Sequence, residues 1–294
     1  MELTALGTAL PLPFPFDREY MQLALLAGIM VGIGAPLIGT FLVQKRLSLL
    51  GDGLGHVAFA GVAAGLFLDV WPIWTALVAA IVGAIAIEWL RTRGGASGDL
   101  ALALFFYSGI AGGVVLTGLA GGLNAGILTY LFGSILTVSR ADVATIAALG
   151  LVIVAVVART WRALFSIVLD EEAARVAGLP VDRLNLLIAV LAAVTVVAAM
   201  RVVGILLVAA MMVLPVGAAQ RLTPSFRSTL VVAAGIGAAS AVVGLGAARS
   251  GGLAPGGTIV LVAAAVFVVA TIVGSRRRGR AAGLASRLSD RAAP

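Results

Sequence analysis

The chain has 294 residues, 61% of them hydrophobic and only 11% charged, with a mean hydropathy of +1.14. Water-soluble domains run at roughly 45–50% apolar and about 25% charged, so a soluble globular protein is excluded and a polytopic membrane protein is implied. Twenty Lys and Arg against thirteen Asp and Glu mark cytoplasmic loops in such a chain rather than nucleic-acid contact, and the lack of Cys removes disulfides, thiolate metal sites and cysteine nucleophiles together.

In chain order, residues 1–19 read as a short outside segment. Pro11, Pro13 and Pro15 interrupt the apolar stretch that a secretory signal keeps continuous, and the first charges are Glu2, Asp17, Arg18 and Glu19. Charges and Pro or Gly clusters then bound nine predicted spans, at 20–43, 48–68, 73–90, 99–119, 140–160, 182–200, 202–220, 227–247 and 257–275. Each is near the roughly 20 residues a helix needs to cross a bilayer. The predicted fold is all-α, a polytopic transmembrane helical bundle over residues 20–275.

An odd number of spans puts the termini on opposite sides. With the N-terminus outside, the cytoplasmic side holds fourteen basic residues: Lys45, Arg46, Arg91, Arg93, Arg159, Arg162, Arg175, Arg183, Arg221, Arg227, Arg276, Arg277, Arg278 and Arg280. The other side holds four, Arg18, Arg140, Arg201 and Arg249. The positive-inside rule therefore predicts an N-out, C-in chain in the cell (inner or plasma) membrane. Residues 276–294 read as a basic cytoplasmic tail near anionic lipid.

Residues 120–139 (AGGLNAGILTYLFGSILTVS) are too apolar for a free loop, yet the charge rule joins their flanking spans on the outside. A re-entrant or broken helix is predicted, because irregular backbone at membrane depth is tolerated only where protein or a water-filled cavity covers it. Asn124 and Tyr130 thereby become candidates for the wall of a pathway; the alternative is a tenth, short span. Glycines four apart, at 28 and 32, 51 and 55, 61 and 65, and 109 and 113, predict close helix packing.

His56 is the only histidine, and Asp52 precedes it by four residues in the second span. That spacing places carboxylate and imidazole on one helix face, where they can ligate one cation or bond each other. Burying the carboxylate alone in a bilayer costs at least about 2.5–3.5 kcal/mol, which favours an interior, functional role. The alternative is an interface charge near Lys45 and Arg46. Asp with neutral His suits Zn²⁺ or Mn²⁺, whereas Ca²⁺ and Mg²⁺ want more oxygens and Cu(I) wants sulfur. Glu88, one turn before Arg91, reads as a helix-end charge, Arg201 as a surface joint between spans, and Met200, Met211 and Met212 as packing.

Lys45, the only lysine, follows Gln44, so the chain has no G-x-x-x-x-G-K-[ST] phosphate loop, and it has no H-E-x-x-H motif. Catalysis within the chain is not expected, and any use of ATP must come from a partner.

The stretch RLSLLGDGLGHVAFAGVAAGLFLDV (Arg46 to Val70), with LTYLFGSIL, DEEAARVAGLPVDRLNLL, MRVVGILLVAAMMVLPVGAAQRL and APGGTIV, resembles the integral-membrane permeases of zinc and manganese ABC transporters, the ABC-3 group. The resemblance covers about residues 20–275. It implies a homodimeric permease similar in plan to the vitamin B12 and siderophore importers, two copies of a cytoplasmic ABC ATPase, and an extracytoplasmic metal-binding protein. It also implies that Asp52 and His56 line the metal pathway, with no permanently bound cofactor and Zn²⁺ or Mn²⁺ as cargo. In those importers a short cytoplasmic helix meets the ATPase. Here that position corresponds to Gly217 to Arg227, with Gln220, Arg221, Thr223, Pro224 and Arg227. Asp170 to Leu179, with Glu171, Glu172 and Arg175, competes for the role. Relatives often carry acids where this chain has Gly126 and Ser134, so Asn124 or water must substitute for them.

The expected function is the permease subunit of an ATP-driven importer of divalent transition metal, zinc first and manganese next. A stand-alone proton-coupled metal transporter is the alternative, with Asp52 and His56 as a proton relay. A purely structural membrane subunit is the third.

Overall fold

The structure, a computed structural model, describes residues 13–93, 98–122 and 125–292. The described residues form eleven helices and no strand: α1 (Glu19–Gln44), α2 (Leu50–Phe67), α3 (Pro72–Arg93), α4 (Gly98–Leu119), α5 (Ala125–Phe132), α6 (Arg140–Leu169), α7 (Glu171–Val176), α8 (Val181–Ala199), α9 (Ile205–Leu222), α10 (Phe226–Gly251) and α11 (Pro255–Ala292). Nine of them, all but α5 and α7, are long and apolar enough to cross a membrane, which matches the nine predicted spans. Two boundaries move. The helix predicted to end at 160 runs to Leu169, taking Arg159 and Arg162 into its last turns, and α11 continues as helix past Arg276. Of the predicted outside segment, residues 1–12 lie outside the described residues.

Sequence decides which helices sit inside. Past its polar first turns α8 is apolar on nearly every side, the pattern of a helix surrounded by others, and every side chain from Leu191 to Met200 is buried. Met200, Met211 and Met212 are fully buried among apolar neighbours, in keeping with packing. α3 instead presents Trp71, Trp74 and Trp89 outward near its two ends, where amphipathic rings favour the membrane–water interface.

Each predicted glycine pair faces a single partner helix. A Cβ on Gly28 or Gly32 would strike α10, one on Gly51 or Gly55 would press on α9, one on Gly61 or Gly65 would strike α3 or its first residues, and one on Gly109 or Gly113 would strike α2. Without a hydrophobic force between helices in lipid, such close backbone approach is what holds them.

The segment predicted to be re-entrant or broken is broken. α5 has only eight residues, about 12 Å of helix against a hydrocarbon core of about 30 Å. It ends at Gly133, and the chain then passes backbone to backbone against the α8–α9 turn at Gly204. Both glycines have positive φ (73° and 91°), and a Cβ on Gly204 would sit 2.6 Å from the Gly133 nitrogen. Only Gly meets both demands.

Ion pairs and ring contacts sort the helix ends into two groups. Lys45, Glu171, Asn185, Glu88 and Arg91 gather at one end of the bundle, together with Phe226, whose ring lies 5.4 Å from that of Phe41. Glu19, Arg140, Asp142, Arg201 and Arg249 gather at the other. These are the two groups that the charge alternation separates.

Candidate functional site

Asp52 lies in the first turn of α2 and His56 one turn further on. Their spacing brings His56 Nε2 to 3.9 Å from Asp52 Oδ1, with the imidazole 12% and the carboxylate 35% exposed. The Phe106 ring of α4 meets the imidazole edge to face, its centroid 4.3 Å away. His56 Nδ1 is buried without a hydrogen-bond partner. Imidazole and carboxylate thus share a face, too far apart for a strong direct bond and close enough to flank a common cation.

A cavity of about 300 Å³ opens beside Asp52, between the start of α2 and the first half of α4, lined by Asp52, Asp99, Leu102, Phe106 and Tyr107 among others; His56 stands behind it, against Phe106. Asp99 is a carboxylate the sequence reasoning missed. The available signal was topological: the second and fourth spans run in the same direction, so acids in their first turns share one end of the bundle. Among the described residues no group of three or more His, Asp or Glu could hold a metal ion.

The other candidates divide. Asn124 lies outside the described residues. Tyr130 is 9% exposed and packs beneath Arg201, whose guanidinium carbon is 5.0 Å from the ring centroid; it does not line the Asp52 cavity. Arg201 is more than a surface joint, because it is bonded twice to the buried Asp142. Glu88 pairs with Arg91 at 2.8 Å, as a helix-end charge should.

The short helix expected within Gly217 to Arg227 is absent. α9 continues unbroken through Pro215 to Leu222 because Val216, Ala218 and Ala219 are buried, and it stops where Pro224 forces Thr223 into extended backbone (φ −123°, ψ 146°). The Thr223 hydroxyl donates to the Ala219 carbonyl, and Ser225 caps α10. Gln220 is part-buried on α9, while Arg221, Pro224 and Arg227 are exposed around the link.

The separate short helix is α7. Asp170 caps it by accepting from the Ala173 N–H at 2.9 Å, and Gly178 at φ 82° with Pro180 turns the chain into α8. Glu172 and Arg175 point outward, with Arg175 3.0 Å from Asp182. Glu171 turns inward, accepting from Lys45 Nζ at 2.7 Å and from Asn185 Nδ2 at 3.0 Å. Partial burial pushes the Glu171 carboxyl up, but these hydrogen bonds and the Lys45 and Arg91 charges outweigh it and hold the group below the usual Glu range.

Comparison with known proteins follows this architecture closely. The model of the ABC 3 transport family matches residues 17–274. The chain belongs to that family. It is 32% identical over 263 residues to the manganese transport system membrane protein MntC of Halalkalibacterium halodurans, covering 88% of this chain and 90% of that one. It is 29% identical over 251 residues to the high-affinity zinc uptake system membrane protein ZnuB of Haemophilus influenzae, covering 85% and 96%. Among solved structures, PsaBC from Streptococcus pneumoniae in complex with Fab superposes with a TM-score of 0.78 at 30% identity, covering 86% of this chain and 91% of that one. An inward-facing metal-chelate type ABC transporter, 18% identical with a TM-score of 0.63, shares the fold.

Proposed function

We propose that this ABC 3 family chain is the membrane permease subunit of an ATP-driven importer of divalent transition metal, zinc first and manganese next. The observation that carries the reading is the Asp52–His56 pair, an imidazole and a carboxylate 3.9 Å apart on one face of an apolar helix, with Asp52 lining a cavity. Oxygen and imidazole donors suit both metals, and relatives named for manganese and for zinc transport resemble the chain about equally. Two donors hold an ion without trapping it; water or a second copy of the chain completes the coordination during passage.

The ion arrives from an extracytoplasmic metal-binding protein, meets Asp52 and His56, and leaves on the cytoplasmic side as the permease alternates its access. The Lys45 end faces the cytoplasm, following the charge asymmetry. ATP hydrolysis belongs to two copies of a partner ATPase, which dock at α7. There Val176 is 90% and Leu169 76% exposed, apolar side chains at the water-facing end of the bundle that a partner would cover.

The test is zinc and manganese accumulation in metal-starved cells carrying the chain with its ATPase and binding protein. His56→Ala and Asp52→Ala are each expected to abolish uptake of the transported metal while the protein remains in the membrane. Unchanged uptake of both metals in both variants overturns the pathway assignment. Uptake by the chain without any ATPase points instead to the proton-coupled carrier.

A further inference from the structure

Lys45, the only lysine of the chain, is nearly enclosed, its side chain 6% exposed. Its ammonium donates to Glu171 Oε2 of α7 and to Asn185 Oδ1 of α8, each at 2.7 Å, and Asn185 Nδ2 closes the ring by donating to Glu171 Oε1 at 3.0 Å. Three separate elements, the end of α1, the start of α7 and the first turns of α8, meet in one closed cycle. Taking an ammonium out of water is expensive, and an apolar side chain of similar volume often serves stability as well or better. A charge retained at such a place is better explained by what it positions.

Beyond this cycle α7 is tied to α8 by the exposed Arg175–Asp182 ion pair, a kind worth about 0–1 kcal/mol. Ala174 is its one buried residue, and Glu172, Arg175 and Val176 face outward. On the other side of the cycle the chain is taut. The link from α1 to α2 is tied by hydrogen bonds from Arg46 N–H to the Val43 carbonyl, Leu47 N–H to the Leu42 carbonyl and Leu50 N–H to the Leu47 carbonyl, at 2.8–3.1 Å. Arg46 turns there with φ 59°. A displacement at Lys45 therefore passes into α2 without being absorbed by a slack loop, and Asp52 stands seven residues further along.

We propose that Lys45, clamped between Glu171 and Asn185, is the strut through which movement of α7 reaches the α1–α2 junction and the Asp52–His56 pair. Lys45 and Asn185 are thereby positioning residues that couple ATP hydrolysis to ion movement. The premise is the docking of the ATPase at α7 proposed above. The strut is a packed, hydrogen-bonded connection between the two elements, one physical form in which coupling between distant sites is carried.

The experiment uses the full chain with its ATPase and binding protein in proteoliposomes, and reads labelled zinc or manganese taken up per ATP hydrolysed, with ATPase co-purification measured alongside. Lys45→Met keeps the side-chain length and removes the charge; Glu171→Gln keeps the shape and weakens the clamp. Each is expected to lower ions moved per ATP by about tenfold, within the usual span of coupling between sites. The double variant is expected to be no worse than either single, because both act through one contact. Ions per ATP unchanged in both singles, or losses that multiply in the double, overturn the strut.

A cysteine pair controls for misfolding, since the chain has no other Cys. Lys45→Cys with Glu171→Cys is expected to be uncoupled when free and recoupled when bridged by a reversible bifunctional thiol reagent; equal coupling in the two states overturns the strut. Val176→Asp, on the outward face of α7, isolates the premise. Loss of ATPase co-purification in Val176→Asp supports docking at α7, and co-purification that survives it overturns that docking together with the strut. Normal coupling in a fully assembled Lys45→Met complex overturns the strut alone.

Discussion

Gly109→Ala is expected to destabilise the protein by about 1–3 kcal/mol, the usual cost of forcing atoms into a filled site, and Gly109→Val by more. The new Cβ would lie 2.7 Å from the His56 carbonyl carbon and 2.8 Å from the His56 oxygen and the Val57 nitrogen. All three are backbone atoms, so no side chain can swing aside and α4 must part from α2. Parting them draws Phe106 away from the imidazole it packs against at 4.3 Å and widens the cavity beside Asp52. If the proposed pathway runs past this pair, metal uptake should therefore fall although neither Asp52 nor His56 has changed. Gly112→Ala is the control on the same helix. Its Cβ would meet only the Ala60 methyl at 3.8 Å, an ordinary contact, and its effect should stay within about 0.5 kcal/mol. Thermal unfolding in detergent with uptake in cells checks both, and equal behaviour of the two alanines would mean that the close approach at His56 does not hold the site together.

That contrast shows what the sequence could and could not disclose. Glycines four apart announced close packing, because little else explains a small residue repeating on one face of a lipid-embedded helix. They could not say which helix each pair would meet, since partner choice depends on the arrangement of all nine spans. The Asp52–His56 face was legible because i, i+4 geometry is local. Asp99 was not, because its relation to Asp52 exists only once α4 lies beside α2.

The short helix placed at Gly217 to Arg227 differs for another reason. Resemblance to the vitamin B12 and siderophore importers implied a separate helix there, but burial of Val216, Ala218 and Ala219 carries α9 straight on to Leu222, just short of the Pro224 boundary. The inward turn of Glu171 was equally hidden: Lys45 lies 126 positions from Glu171 and 140 from Asn185, and Asn185 lies 14 from Glu171, beyond the reach of any local pattern.

Arg201→Ala is expected to be among the most damaging single changes, at about 3–5 kcal/mol, because it strands a buried charge. The Asp142 side chain is 4% exposed and Arg201 16%. The guanidinium bonds both carboxylate oxygens, Nε to Oδ1 at 3.1 Å and Nη2 to Oδ2 at 3.0 Å, and also donates to the Thr137 carbonyl at 3.0 Å. Ser139 adds its backbone N–H and hydroxyl to Asp142 Oδ2, so the carboxylate keeps hydrogen bonds after the substitution but loses the guanidinium counter-charge that pairs with it. The stretch between α5 and α6 then loses its side-chain tie to the α8–α9 turn, while the backbone bond from the Ser134 N–H to the Arg201 carbonyl at 3.3 Å remains. Arg140→Ala provides the scale: its partner Glu19 is 57% exposed and Arg140 itself 58%, and such surface pairs are worth about 0–1 kcal/mol. Adding Asp142→Asn to Arg201→Ala should restore part of the loss, since a neutral amide needs no counter-charge. Thermal unfolding of the purified variants decides the matter: a double variant as unstable as Arg201→Ala would show that lost packing against Tyr130, and not the stranded carboxylate, sets the cost.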